Sequence, residues 1–176
     1  MDDLLKTFIH VLAYFAGAAG LVLVITRFIP SGRVLVQRAI GGQELWFAFA
    51  AAAAMTAASL YLSEVLHFIP CRMCWIQRIC AYPLVVVLGW AAFRRDRLAW
   101  APTITLAGLG LAASVWHILL DVGWISESSS CDPNNPCTLR WGWAGDGLGQ
   151  WFATIQVGAF CCFLFIIGLG LHALAK

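Results

Sequence analysis

Two cysteine pairs and one arginine are the residues whose types and spacing could carry chemistry. Cys71 and Cys74 form a Cys-x-x-Cys pair, a spacing typical of redox-active dithiols. Cys131 and Cys137 enclose the segment CDPNNPC, whose Asp, Asn and Pro residues favour turns. Arg78 follows Cys74 by one helical turn inside an apolar run, where a charge is costly and marks a candidate functional site. Together they predict thiol–disulfide exchange beside a cation that binds a polar or anionic ligand head. The alternative for Arg78 is a side chain that only extends back to the headgroups.

The composition excludes a soluble globule. Of the 176 residues, 61% are hydrophobic and 11% are charged, and the mean hydropathy is +0.82. Ordinary soluble domains have about a quarter of their residues charged. The net charge of +2 is too small to indicate nucleic-acid binding. An integral membrane protein is therefore predicted.

Five apolar stretches are long enough to cross a bilayer, which takes about 20 residues. They cover residues 8–29, 45–66, 75–93, 100–120 and 151–174. Because basic short loops stay in the cytoplasm, the arginine-containing gaps at 27–44 and 94–97 are predicted to lie inside. The N-terminus, the Cys-x-x-Cys turn and the long loop at 121–150 then lie outside. An alternative for the first stretch is a cleaved signal peptide, but the acidic start and the segment ITRFIP argue against cleavage.

The third span is expected to begin near Cys74 or Trp75. A helix N-terminus stabilises a nearby negative charge, and Arg72 and Arg78 add two positive charges. The thiolate form of Cys74 is therefore expected to be favoured.

The seven cysteines fall into two groups. Three lie within spans, where a buried cysteine packs as a small hydrophobe: Cys80, Cys161 and Cys162. The four cysteines of the two pairs all map outside, where an oxidising compartment preserves disulfides. Two alternatives remain open, a disulfide that only staples the long loop and a zinc site made of four sulfurs. No metal is predicted, because for external cysteines a disulfide is expected over a zinc site.

Two histidine–carboxylate pairs lie near the predicted outer surface. His117 and Asp121 are four residues apart and can share one helix face. They would either deliver protons or end a helix at the interface. Glu64 and His67 have the same alternatives, with the interfacial role favoured.

The stretch PCRMCWIQRICAYPL, residues 70–84, resembles the signature of the DsbB/BdbC family of membrane disulfide-bond-formation (thiol:quinone) oxidoreductases. The later Cys-x5-Cys pair and WFATIQVGAF, residues 151–160, are also similar to that family. A proline commonly follows the Thr-Ile there, and this chain has Gln156 instead. The resemblance covers residues 45–174. It implies an all-α membrane protein: a four-helix transmembrane bundle of DsbB type at 45–176, with an additional N-terminal transmembrane helix and basic loop at 1–44.

The resemblance also implies an enzyme of the bacterial inner (cytoplasmic) membrane with its redox cysteines on the periplasmic side. Its partner would be a periplasmic thioredoxin-fold, DsbA-like dithiol carrier. Cys131 would accept attack by the carrier's thiolate, and Cys137 would then exchange with Cys71.

The cofactor implied by the resemblance is a quinone, ubiquinone or menaquinone. Cys74 would contact the quinone ring, and Arg78 and His117 would be further quinone-binding residues.

Three other functions compete with this interpretation. A VKOR-type quinone reductase has its Cys-x-x-Cys after the loop pair, whereas here the Cys-x-x-Cys comes first. A membrane scaffold would hold the same cysteines in permanent disulfides. A metal-binding transporter subunit would hold a metal in them.

Overall fold

The computed structural model describes residues 2–126, 137 and 154–174, with the side chains of residues 2–6 and 10 excepted. Within that part of the chain the regular structure is helical, which confirms the predicted all-α class. Six α-helices are described there: α1 (Asp2–Arg27), α2 (Pro30–Ile40), α3 (Glu44–Leu60), α4 (Arg72–Arg94), α5 (Trp100–Asp121) and α6 (Ile155–Ala173). A π-helical turn, Tyr61–Val65, extends α3, and a 3-10 turn, Arg97–Ala99, precedes α5.

Five helical segments are long and apolar enough to cross a membrane, as predicted. They are Thr7–Arg27, Glu44–Val65, Arg72–Arg94, Arg97–Asp121 and Ile155–Ala173. The segment between the first two spans differs from the predicted loop, because it contains the helix α2. Pro30 lies in the first turn of α2, and Gly41 and Gly42 follow its end. A short helix that mixes apolar and basic residues has no hydrophobic run, so the hydropathy pattern does not reveal it.

Two predicted helix starts are wrong by a few residues, because local backbone conformation and not hydropathy sets them. Cys71 has extended φ and ψ angles and its sulfur accepts a hydrogen bond from the backbone N–H of Cys74, so α4 begins at Arg72. Thr154 is also extended, so α6 begins at Ile155 and not at Trp151. Trp151 itself lies outside the described residues.

Helices α3, α4, α5 and α6 form a closed four-helix bundle in which each packs on the next and α6 returns to α3. Its core is built around fully buried aliphatic and aromatic side chains, including Leu84, Leu88, Phe163, Ile166 and Leu169. Helix α1 packs outside this ring, chiefly against α6. The architecture is therefore the predicted four-helix bundle with one added N-terminal helix.

Both arginine-containing gaps lie at the same end of the bundle. Arg27, which ends α1, donates from Nε to the carbonyl of Leu171 at 3.0 Å. Arg97, which precedes α5, donates to the carbonyl of Ala173. These carbonyls belong to the last turn of α6, where cations offset the partial negative charge of the helix end. Cys71 begins α4 at the opposite end, so the Cys-x-x-Cys pair lies far from the arginine-rich end.

Candidate functional site

The Cys-x-x-Cys pair lies at the N-terminus of α4 with its two sulfurs in contact. The Sγ of Cys71 donates to the Sγ of Cys74 at 3.1 Å. A disulfide has an S–S length of about 2.05 Å, so the sulfurs need to move only about 1 Å when an acceptor removes two electrons and both thiol protons are lost. One helical turn positions both sulfurs on one side, which is the arrangement that reversible oxidation needs.

The two thiols of the pair are not equivalent. Cys71 is only 7% exposed, and its hydrogen bond to Cys74 together with this burial raises its pKa to about 12. Cys71 therefore keeps its proton near neutral pH, and the sulfur of Cys74 is the acceptor in the hydrogen bond. This asymmetry suits a pair in which Cys74 is the reacting thiolate.

A third cysteine, Cys137, lies against the pair. Cys137 is 2% exposed and packs in one cluster with Cys71 and Leu120, and Cys74 lies against the same cluster. Three of the four predicted catalytic cysteines are thus gathered at one end of the bundle. The fourth, Cys131, lies outside the described residues.

His117 of α5 links Cys71 to the loop. Its Nε2 lies 3.8 Å from the Sγ of Cys71 and 3.0 Å from the carbonyl oxygen of Cys137. The side chain is 3% exposed, and Asp121, one turn later, is buried as well. His117 therefore occupies the dithiol side of the site. The packing of α5 on α4 brings this histidine, distant in sequence, against Cys71.

Cys71, Cys74 and His117 meet one geometric condition for a metal site. The ligand atoms of Cys71, Cys74 and His117 all lie within 4.8 Å of one another. Two thiolates and an imidazole are ligands that zinc prefers. The sequence prediction of no metal is therefore best tested by measuring the metal content of the purified protein.

Arg78 lies one turn below Cys74 and is held by α3. Its Nε donates to the hydroxyl of Ser59 at 3.0 Å, and its Nη2 donates to the carbonyl of Ser59 at 3.1 Å. Its guanidinium carbon lies 5.2 Å from the ring centroid of Trp75, a cation–π distance. No carboxylate in the described part of the chain pairs with it. A guanidinium has five N–H donors, so donors remain for a ligand.

An apolar cavity adjoins Cys74 and Arg78. Its volume is about 360 Å³, within the range of roughly 300–1,000 Å³ that small-molecule sites occupy. Most of its wall is aliphatic or aromatic and comes from α1, α3, α4, α6 and the segment Phe68–Pro70. The polar residues on the wall are few: Ser59, Cys74, Gln77, Arg78, Tyr82 and Thr154. His117 does not line this cavity.

Two of these polar residues, Ser59 and Thr154, are not predicted from the sequence. Ser59 stands in an alanine-rich stretch of α3 and carries no motif, so only the packing of α3 on α4 reveals its contact with Arg78. Thr154 is fully buried, and its hydroxyl has no hydrogen-bond partner among the described residues. Thr154 belongs to the Thr-Ile pair in the segment WFATIQVGAF, which resembles the family. That resemblance marks the position but does not indicate a role for the hydroxyl.

A helical membrane bundle with a dithiol at one end and a third cysteine, Cys137, packed against it defines a membrane thiol–disulfide protein. A family model described as "Disulfide bond formation protein DsbB" matches residues 43–166. The chain belongs to this family. Helices α1 and α2 precede the matched residues.

Proteins with related names are similar over much of their length. A "Probable disulfide formation protein" of Deinococcus radiodurans is 37% identical over 130 residues, covering 71% of this chain and 84% of the relative. "Disulfide bond formation protein C" of Bacillus subtilis is 38% identical over 111 residues, covering 62% and 76%. A "Probable disulfide formation protein" of Coxiella burnetii is 42% identical over 86 residues, covering 49% and 58%. No solved structure matches the chain.

Proposed function

We propose that this membrane protein of disulfide bond formation is a thiol:quinone oxidoreductase. It re-oxidises a periplasmic, DsbA-like dithiol carrier with a thioredoxin fold and passes the electrons to a membrane quinone. The observation that carries the proposal is the packing of half-buried Cys74 against the buried cysteines Cys71 and Cys137, beside an apolar cavity lined by Cys74 and Arg78. Such a site can pass electrons from thiol–disulfide exchange at the protein surface to an electron acceptor dissolved in the lipid.

The carrier is oxidised by two thiol–disulfide exchanges. Its thiolate attacks Cys131 of the Cys131–Cys137 disulfide and forms a mixed disulfide, with Cys137 as the leaving thiolate. The carrier's second thiolate then attacks the carrier's first sulfur, which is bonded to Cys131 in the mixed disulfide. This step releases Cys131 as a thiolate. The carrier leaves as a disulfide, and the loop pair holds its two electrons.

The loop pair passes these electrons to the membrane-proximal pair. The Cys137 thiolate attacks Cys71 of the Cys71–Cys74 disulfide, and Cys74 leaves as a thiolate. Cys131 then attacks Cys137, which restores the loop disulfide and leaves Cys71 as a thiol. The packing of Cys137 with Cys71, and the His117 contact to both residues, supports this order.

The residues around the cavity fit a quinone. The wall is apolar as a ring and isoprenoid tail require, and Arg78 and the buried Thr154 hydroxyl offer donors that described residues leave unused. Cys74 and Arg78 would hold the head of the ring, with His117 acting from the dithiol side. A bound quinone supplies the capacity to accept two electrons and two protons from the dithiol. The chain's own residues keep Cys74 at the cavity wall and provide positive charge beside it.

The proposed orientation follows the positive-inside rule. The arginine-rich end would face the cytoplasm of the inner membrane, and the cysteine end would face the periplasm. Residues 1–44 would form an added membrane helix with a basic cytoplasmic segment, and residues 45–176 the DsbB-type domain with its external loop at 121–150.

The proposal is tested with purified protein in detergent, a short-chain quinone and a reduced thioredoxin-fold donor. Quinone absorbance is followed for the wild type, Cys74→Ser and Cys131→Ser. Cys80→Ala is the matched control, because Cys80 is buried in the core away from the cavity. We expect turnover in the wild type and the control and none in the other two variants.

Two results would argue for another function. Loop cysteines that stay oxidised with every donor, with no quinone turnover, would favour a structural scaffold. Stoichiometric zinc in the reduced, purified protein, with no turnover, would favour a metal site.

A further inference from the structure

Helix α1 forms one wall of the cavity that adjoins Cys74 and Arg78. It contributes Ile9, Leu12, Ala13 and Ala16, a spacing that puts all four on one helix face, together with Phe15. Phe15 lines the cavity although it is 74% exposed, so it lies at the cavity's edge. All five residues are apolar, whereas the polar groups of the wall come from α3, α4 and Thr154.

Close backbone packing fixes α1 on α6. A Cβ added at Gly20 would lie 2.7 Å from the backbone nitrogen of Phe165, so only glycine allows this approach. A Cβ added at Gly168 of α6 would lie 2.8 Å from the Cβ of Leu23. A glycine on each helix therefore permits the contact, which holds α1 as a rigid wall.

Polar contacts hold the other end of α1 as well. The Nε2 of His172 lies 2.9 Å from the carbonyl of Leu23 and 3.3 Å from the hydroxyl of Thr26. With the Arg27 contact to Leu171, three residues at the end of α1 are joined to the last turns of α6. The cavity half of α1, residues 9–16, is thus positioned by contacts at residues 20–27.

From these contacts we infer that α1 is part of the quinone site and that Ala13 and Ala16 set the width of the cavity that adjoins Cys74 and Arg78. This inference rests on the proposed function. The residues that match the DsbB family model begin at 43, after α1. Helix α1 therefore adds a wall to the four-helix bundle. This wall limits which quinone ring fits the cavity and raises the affinity of the site for that quinone.

The first test enlarges the wall residue Ala16. Ala16→Leu is compared with Ala18→Leu, which makes the same change on the same helix at an exposed position outside the cavity. Steady-state rates are measured against a short-chain ubiquinone and against the reduced donor. We expect the KM for quinone to rise about tenfold or more in Ala16→Leu, because leucine adds three carbons to the wall and a single methylene in a shaped pocket already discriminates by about tenfold. The KM for donor should not change, and Ala18→Leu should match the wild type within about twofold, since surface substitutions have small effects.

The second test needs no turnover. A photoreactive azidoquinone is activated on the oxidised wild-type protein, and the labelled peptides are mapped by mass spectrometry. We expect labels on α1 between residues 9 and 16 as well as on α4.

The outcomes separate this inference from the proposed function. Quinone reduction that depends on Cys74, with labels on α4 but not on α1 and an unchanged KM in Ala16→Leu, would overturn the role of α1 alone. Lack of any quinone reduction that depends on Cys74 would overturn both. Equal rises of KM in Ala16→Leu and Ala18→Leu would show a general effect on α1 and would also contradict the inference.

Discussion

Arg78 of α4 reaches across the bundle to Ser59 of α3 and donates to both its hydroxyl, at 3.0 Å, and its carbonyl, at 3.1 Å. The hydroxyl of Ser59 also lies 3.3 Å from the hydroxyl of Tyr82. All three side chains line the cavity beside Cys74. The charged group is thus oriented by a neighbouring helix before any ligand binds, which lowers the entropy cost of using it.

Ser59→Ala tests whether this orientation matters. The variant removes the hydroxyl acceptor and keeps the carbonyl, so Arg78 stays charged but is held by one bond fewer. A net hydrogen bond is worth about 0.5–1.5 kcal/mol, so we expect the KM for quinone to rise roughly two- to tenfold. Thr105→Ala is the matched control, because the exposed Thr105 hydroxyl bonds the carbonyl of Ala101 within α5, away from the cavity. Equal effects of the two variants would contradict a role for Ser59.

The pH dependence of alkylation tests the asymmetry of the dithiol. With its pKa raised to about 12, chiefly by the hydrogen bond to Cys74, Cys71 should be labelled faster with every step in pH and reach no plateau by pH 10.5. An ordinary thiol, with a pKa of about 8.5, would reach a plateau there. In Cys74→Ala the main cause of the shift is gone, so the midpoint for Cys71 should move down. Mass spectrometry of the labelled peptides gives both profiles, and a wild-type midpoint near 9 would refute the asymmetry.

The same shift predicts how the stability of the reduced protein depends on pH. The folded form keeps the Cys71 proton up to about pH 12, whereas the unfolded chain loses it near 9.0. The unfolded state therefore binds fewer protons between these values, and stability falls as the pH rises through that window. Thermal unfolding of the reduced protein at pH 8 and pH 10 measures this loss. The Cys71→Ala variant should lose less stability over the same interval.

His117→Ala tests the link between the two cysteine pairs. Without the imidazole, the Cys137 carbonyl loses its contact at 3.0 Å and Cys71 loses its contact at 3.8 Å. A hydrogen bond contributes about 0.5–1.5 kcal/mol net, so losing these contacts should slow transfer from the loop pair to Cys71 by roughly two- to tenfold. Rapid acid quenching followed by alkylation reports which pair is oxidised after one turnover. His67→Asn serves as the control, because His67 is exposed and asparagine tolerates its positive φ of 56°.

Two neighbouring glycines of α5 should respond differently to alanine. A Cβ at Gly110 would collide with the ring of Phe163, whereas a Cβ at Gly108 would meet nothing within 4 Å. Gly110→Ala should therefore destabilise the bundle by about 1–3 kcal/mol through overpacking. Gly108→Ala should be neutral or slightly stabilising, because alanine favours the helix. Thermal unfolding in detergent, read by a thiol-reactive dye, compares them, and equal melting temperatures would refute the packing of α5 on α6.

The sequence predicted the spans and their order because hydrophobicity over about 20 residues is a local property. It was less accurate at the helix ends. Cys71 and Thr154 decide where α4 and α6 begin through their own backbone angles, which hydropathy does not record. The helix α2 was missed for a related reason, since a short helix that mixes apolar and basic residues has no hydrophobic run.

By itself, the sequence determined that this is a helical membrane protein with a redox-type cysteine pair next to an intramembrane arginine. Composition and the spacing of nearby residues carry that information. Only the tertiary structure decided which distant residues meet: Cys137 and His117 at Cys71, Ser59 at Arg78, and α1 at the cavity. Each of these contacts joins separate helices or a loop to a helix. Their partners are selected by packing of the whole bundle, which no local pattern encodes.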